Sequence, residues 1–178
     1  MKKRYTISVF TEDQVGLLNR VTIIFTRRKI NIESIAASDS EVEKVHRYTI
    51  VITETEDTVK KVVLQLEKQV EIIKAIYHED DAIVFQEIAL YKVPTDILIA
   101  GKEAEKIVRS HYARVLSVES NFTVIEKTGH KEETQALFND LKPYGILEFV
   151  RSGRIAITKP MKTLTSIVEE LENEIKHN

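Results

Sequence analysis

Apolar and polar residues alternate from Tyr5 to Phe10, with Tyr5, Ile7 and Val9 on one side, which predicts a strand. After the polar turn Thr11-Glu12-Asp13-Gln14, the apolar positions Leu17, Leu18, Val21, Ile24 and Phe25 recur at three- and four-residue steps. That spacing predicts an amphipathic helix between Val15 and Arg28. Alternation returns over Asn31 to Ala37 and over Val45 to Thr53, and the acidic stretch Ser38 to Lys44 between them reads as a hairpin connection. Glu56-Asp57-Thr58 can cap a second helix whose apolar side is Val59, Val62, Val63 and Leu66, with the acids at its positive end. Val70 to Tyr77 closes the series as a strand, giving the order β-α-β-β-α-β.

The second half repeats that order with little residue identity. Phe85 to Val93 alternates as a strand, and Pro94-Thr95-Asp96 signals the start of a helix reaching about Ser110. Arg114 to Glu119 and Phe122 to Lys127 read as strands turning at Ser120-Asn121. A helix from Lys131 to Leu141 stops at Pro143-Tyr144-Gly145, and strands follow at Ile146 to Val150 and Arg154 to Thr158. Leu164, Ile167, Val168, Leu171 and Ile175 mark a final amphipathic helix. The predicted fold class is α+β: two ferredoxin-like βαββαβ sandwiches, residues 1–80 and 81–178, with a carboxyl-terminal helix. Each sandwich leaves a sheet edge open, and pairing two such edges into a larger platform makes dimerisation the expected remedy.

Composition narrows what such a chain can do. The 178 residues are 43% hydrophobic and 30% charged, as a soluble globular chain should be, and no apolar run approaches the roughly 18 residues that span a bilayer. With no signal-peptide core at the amino terminus, the expected location is cytoplasmic, without membrane attachment. A net charge of -2 and the lack of a basic-aromatic strand motif argue against nucleic acid as partner. The absence of cysteine removes thiolate chemistry and Cys-based zinc sites. His46, His78, His111, His130 and His177 match no metal-ligand spacing and read as scattered surface residues. His78-Glu79-Asp80-Asp81 has the donors for a cation, yet sits where a solvated acidic linker is common. Phosphate-loop and nucleophile-elbow motifs are missing, so neither a catalytic set nor a metal site is expected.

The chemically informative segment is Asp13-Gln14-Val15-Gly16-Leu17. A glycine at the first helical turn allows close approach, and the unpaired N–H groups of Gln14, Val15, Gly16 and Leu17 would point outward at the positive end of the helix as a receptor for a carboxylate. The plainer alternative is that Gly16 relieves a tight turn and Asp13 caps the helix. Asn31, just past the same helix, carries an amide able to meet a zwitterion or simply to form a turn. Arg27-Arg28-Lys29 complement the helix carboxyl end.

Taken together, Asp13-x-x-Gly16-Leu17-Leu18-x-Arg20-Val21, Phe25-x-x-Arg28, Asn31-Ile32-Glu33-Ser34-Ile35 and Arg47-Tyr48-Thr49-Ile50 resemble an ACT domain. The ordered string is more narrowly similar to the small regulatory subunits of acetolactate synthase, also called acetohydroxyacid synthase. The resemblance runs over about residues 4 to 78; beyond them it rests on length, on Gln86 to Val93 and on Arg151-Ser152-Gly153, similar to the family's Ala-Arg-Ser-Gly signature. It implies a chain that is not itself a catalyst and binds no cofactor. The implied partner is a large catalytic subunit carrying thiamine diphosphate, magnesium and FAD, which condenses pyruvate with pyruvate or 2-oxobutyrate. It also implies a homodimer through the ACT domains with a branched-chain amino acid effector, usually valine, at the interface and feedback inhibition as the result. On that resemblance Asp13, Gln14, Val15, Gly16 and Leu17 form one side of the ligand site, and Asn31 and Ile32 the side supplied by the partner protomer. Two positions depart from the pattern. Lys29-Ile30 replaces the usual Gly-aromatic pair, so the helix exit cannot rely on glycine, and Asp13 replaces Asn, adding a charge that can pair with the effector's ammonium group. The alternatives are a stand-alone ACT-type amino-acid sensor controlling another enzyme, and an enzyme acting on a small carboxylate.

Overall fold

The computed structural model describes residues 1–100, 102–159, 165, 166, 168 and 169. Its first half comprises β1 (Lys3–Glu12), α1 (Leu17–Arg27), β2 (Ile32–Asp39), β3 (Val45–Glu54), α2 (Glu56–Leu66) and β4 (Ile72–His78). The antiparallel sheet has the order β2-β3-β1-β4, the split arrangement expected of this element series. One face of the sheet packs Tyr5, Ile7, Val9, Ile50 and Ile52 against Val21, Ile24 and Phe25 of α1 and Val59, Val62 and Leu66 of α2. The helical stripes read from the sequence are the buried ones with one exception, Leu18, which is 43% exposed. The cap of α2 lies earlier than Thr58: the Thr55 hydroxyl accepts the Thr58 amide at 3.4 Å, and Glu56 and Asp57 occupy the first turn.

The second half contains β5 (Ile83–Pro94), α3 (Thr95–Ala100), α4 (Lys102–Ser110), β6 (Arg114–Val118), β7 (Phe122–Gly129), α5 (Lys131–Leu141), β8 (Glu148–Arg151) and β9 (Ile155–Thr158). Its sheet runs β6-β7-β5-β8, the same permutation as the first, and β9 pairs with β5. Ala89, Tyr91, Val93 and Ile125 on the strands meet Val108 of α4 and Leu137 and Leu141 of α5. Burial pushes the Tyr91 hydroxyl up to about 12, and it donates to the Thr134 carbonyl at 2.6 Å. The α+β class with two ferredoxin-like sandwiches is thus borne out. Thr165, Ser166, Val168 and Glu169 are helical, whereas Leu164, Ile167, Leu171 and Ile175 of the expected last helix lie outside the described residues.

The chain divides into two compact units: residues 1–85 with those from Arg154 on, and residues 86–153. The sequence assigned the segment from Arg154 to the second unit; physical contacts attach it to the first. Arg154, only 1% exposed, donates through Nη1 to Asp80 at 2.6 Å and to the Thr6 hydroxyl at 2.9 Å, with its guanidinium 3.7 Å from the Phe85 ring centre. Arg47 reaches the Ala156 carbonyl at 2.5 Å and Ser8 at 3.1 Å. The helix-free face of the first sheet is closed in this way, and Thr6, Ser8 and Thr49 on its strands are buried. Burial, with the positive Arg47 nearby, holds the His78 imidazole below its ordinary value.

Candidate functional site

The corner between β1 and α1 turns on a glycine. Gly16 takes φ 88 and ψ -4, the left-handed region, and forms the amino-terminal boundary of α1 without a side-chain cap. A Cβ there would meet no atom within 4 Å, so the glycine answers a backbone requirement and not a crowded wall. Val15 and Gly16 are exposed while Leu17, at 2% exposure, anchors the helix in the core. Asp13 does not cap α1. Its amide donates to the Lys44 carbonyl at 3.0 Å, and its carboxylate lies 3.3 Å from His46 Nε2, which also sits 2.7 Å from Asp39.

Four free amides were expected at Gln14, Val15, Gly16 and Leu17, and two of them are used. Gln14 N–H donates to the Glu12 carbonyl at 3.2 Å and Leu17 N–H makes a long contact to the Gln14 carbonyl at 3.5 Å. The set that meets no backbone acceptor among the described residues is Val15, Gly16, Leu18 and Asn19, displaced along the first helical turn. Amides left without an intrahelical acceptor at a helix amino terminus are donors of the kind that suits a carboxylate. The neighbouring Asp13 adds an acceptor of opposite preference, so the corner offers both halves of a zwitterion's requirements.

Asn31 and Ile32 are at the other end of α1. The helix has 11 residues, so at 1.5 Å per residue about 16 Å separates its ends. One chain therefore does not bring Asn31 to Gly16. Asn31 is exposed and Ile32 half-buried at the start of β2, which with β4 is one of the two outer strands of the sheet. The opposite end of that strand, Asp39, is tied through His46 to Asp13. Its two ends thus present one half of the expected site each.

The exit of α1 uses a left-handed residue in spite of lacking glycine. Lys29 has φ 56; Ile30 N–H donates to the Phe25 carbonyl and Lys29 N–H to that of Thr26, both at 3.0 Å. This is the Schellman closure, with Ile30 and Phe25 together in the core. The acidic run after β4 has structural partners: Asp80 meets Arg154, and Glu79 pairs with Lys3 at 2.9 Å. No cluster of three or more His, Asp or Glu side chains fit for a metal ion occurs among the described residues. His46, read from sequence as one of several surface histidines, is the participant that sequence reasoning missed; its position across the hairpin from Asp39 was the available signal.

The two tandem sandwiches, the first with a glycine-started helix exposing free amides, define an ACT-type protein. A profile described as the AHAS small subunit-like ACT domain matches residues 7–74, and one for the small subunit of acetolactate synthase matches residues 86–160. The chain is 36% identical over 155 residues to the acetolactate synthase small subunit of Mycolicibacterium smegmatis, covering 87% of this chain and 91% of that protein. With the Bacillus subtilis small subunit it shares 36% identity over 160 residues, 89% and 91% of the two chains. The crystal structure of the Thermotoga maritima small subunit superposes with a TM-score of 0.81 at 25% identity, covering 90% of this chain and 99% of that one. The chain belongs to the acetolactate synthase small-subunit family.

Proposed function

We propose that this chain is the non-catalytic regulatory subunit of acetolactate synthase, acting in the cytoplasm as a homodimer that binds a branched-chain amino acid and controls a large catalytic subunit. The catalytic chemistry, with thiamine diphosphate, magnesium and FAD, belongs to that partner. Membership of the small-subunit family supports the coarse reading, and one geometric relation carries the finer one. The edge strand β2 begins beside Asn31 and ends beside the Gly16 corner of its own chain. Antiparallel pairing of two such edges about a two-fold axis brings the Asn31 end of each strand to the glycine corner of the other. Two identical sites then form, each with amides for the effector carboxylate, Asp13 for its ammonium group and Asn31 and Ile32 from the second protomer.

Control follows by linkage. An amino acid that bridges two protomers favours whichever arrangement binds it best, and the large subunit responds as far as it distinguishes the arrangements. A coupling of about 1–3 kcal/mol corresponds to roughly 5- to 150-fold in affinity. The test is reconstitution: adding the purified chain to the large subunit should raise pyruvate-condensing turnover, and valine should lower the turnover of the complex. Turnover that ignores the added chain contradicts the reading.

A further inference from the structure

We propose that the helix-free face of the first sheet holds one small monovalent anion, of the size of chloride, between Arg47 and Arg154. The site is separate from the effector corner and uses none of its residues. Thr6 of β1 stands opposite His78 of β4, Ser8 opposite Thr49 of β3, and Phe10 opposite Arg47, so these side chains share one face of the sheet. Successive positions on one face of a strand are about 7 Å apart. Arg154 donates through Nη1 to the Thr6 hydroxyl at 2.9 Å, and Arg47 through Nη2 to the Ser8 hydroxyl at 3.1 Å. The two guanidinium groups are thereby anchored at neighbouring positions along β1, over a floor in which Thr6, Ser8 and Thr49 are buried.

Charge favours an anion there. Arg154 is almost fully buried and has Asp80 as its ion-pair partner. Arg47 is half-buried and has no carboxylate within ion-pair distance among the described residues; its acceptors are the Ser8 hydroxyl and the Ala156 carbonyl. Burial pulls its guanidinium below the ordinary value, with Glu41 opposing this through space. His78, held below its ordinary value by burial and by Arg47, adds no charge at neutral pH. Two desolvated cations against one carboxylate leave a single positive charge without compensation, which is costly.

Hydrogen bonding points the same way. Nε of Arg47, Nε of Arg154 and Nε2 of His78 are buried and meet no partner among the described residues. The Thr6 and Ser8 hydroxyls accept from the arginines and keep their own protons to donate. Buried donors are normally satisfied, so several unmet ones on a single patch of sheet call for an acceptor. Water would supply an acceptor without the charge; an anion supplies both. Through the bonds of Arg154 and of the Ala156 carbonyl the carboxyl-terminal segment covers the patch, so the ligand is one enclosed ion and not a metabolite entering from solvent. Bound there, the ion neutralises Arg47 and helps to hold that segment on the sheet.

Crystals of the full chain grown in bromide test this by anomalous scattering, and one bromide is expected against Arg47 and Arg154. Urea unfolding then compares sodium chloride with sodium gluconate at equal ionic strength, gluconate being too large to be enclosed. Chloride at ten times its Kd should raise the folding equilibrium constant of the unmodified protein about elevenfold. Arg47→Gln removes the uncompensated charge and should lose that gain. Bromide on exposed cations alone, or water at the patch, overturns the inference. So does a chloride gain that Arg47→Gln keeps in full, and so does a bromide peak without any chloride gain, which is binding at crystal concentration only. Should Arg47→Gln fail to fold, the bromide position and the salt comparison on the unmodified protein decide by themselves.

Discussion

The two sandwiches share strand order and core design and differ at one corner. In the first unit the chain leaves β1 through a loop, turns at a left-handed glycine and starts α1 with amides that meet no backbone acceptor among the described residues. In the second, β5 runs directly into α3 at Thr95, which is 5% exposed. Its amide donates to the Asn121 carbonyl at 3.3 Å, and its hydroxyl donates to that of Glu119 at 2.7 Å and meets the Thr123 hydroxyl at 3.0 Å. The polar groups of Thr95 are satisfied inside the unit, and no glycine opens the backbone there. The topology therefore does not create a receptor; a glycine and a short loop on top of it do. The opposite ends of these helices are alike. Tyr112 after α4 has φ 51, with Ala113 N–H bonded to the Val108 carbonyl and Tyr112 N–H to that of Arg109, the same closure that Lys29 makes after α1.

The largest expected effect comes from blocking the open corner. Gly16→Asp puts a carboxylate against the effector's own and strains a left-handed position. Valine affinity should fall at least about 100-fold, roughly 2.7 kcal/mol, since like charges placed together cost several kcal/mol. Activation of the large subunit should persist, and reconstituted turnover against rising valine measures both. A smaller and purely structural effect is expected at the closed corner. Thr95→Val leaves the Glu119 carbonyl and Thr123 hydroxyl short of a partner, and chemical denaturation should register a loss of about 1–2 kcal/mol with valine binding unchanged. The smallest effect belongs to the shared exits. Lys29→Gly and Tyr112→Gly each remove about 1–2 kcal/mol of left-handed strain and return about 0.4–1 kcal/mol through the more flexible unfolded chain. Each should stabilise by up to about 1.6 kcal/mol, and unequal gains would mean that the two exits are not equivalent.

Local periodicity made most of the architecture legible. The helix Lys131–Leu141 and the alternating strands carry their signals in neighbouring residues, and the repeat of element order implied two similar sandwiches. Attachment of the segment after Arg154 was not legible, because its partners Thr6 and Asp80 are 148 and 74 residues away. The left-handed Lys29 and Tyr112 were hidden for another reason. Neither residue type signals that conformation, and the pull comes from packing Ile30 and Ala113 back onto their own units. At the candidate site, Gly16 stood out in the sequence; which amides stay free did not, since that depends on the path of the loop from Glu12 to Gln14. The role of His46 required the register that sets it opposite Asp39.

Complementation between two broken chains tests most directly whether one site is shared by two protomers. Gly16→Asp and Asn31→Ala homodimers should each fail to bind valine, one lacking the amide corner and the other the amide side chain that faces it. Mixed and allowed to exchange, the two should regain binding, because each mixed dimer has one intact site and one doubly damaged site. Calorimetry should then find unmodified affinity at one valine per mixed dimer. A mixture as silent as its components, or an Asn31→Ala protein that binds valine as the unmodified chain does, would contradict the shared site.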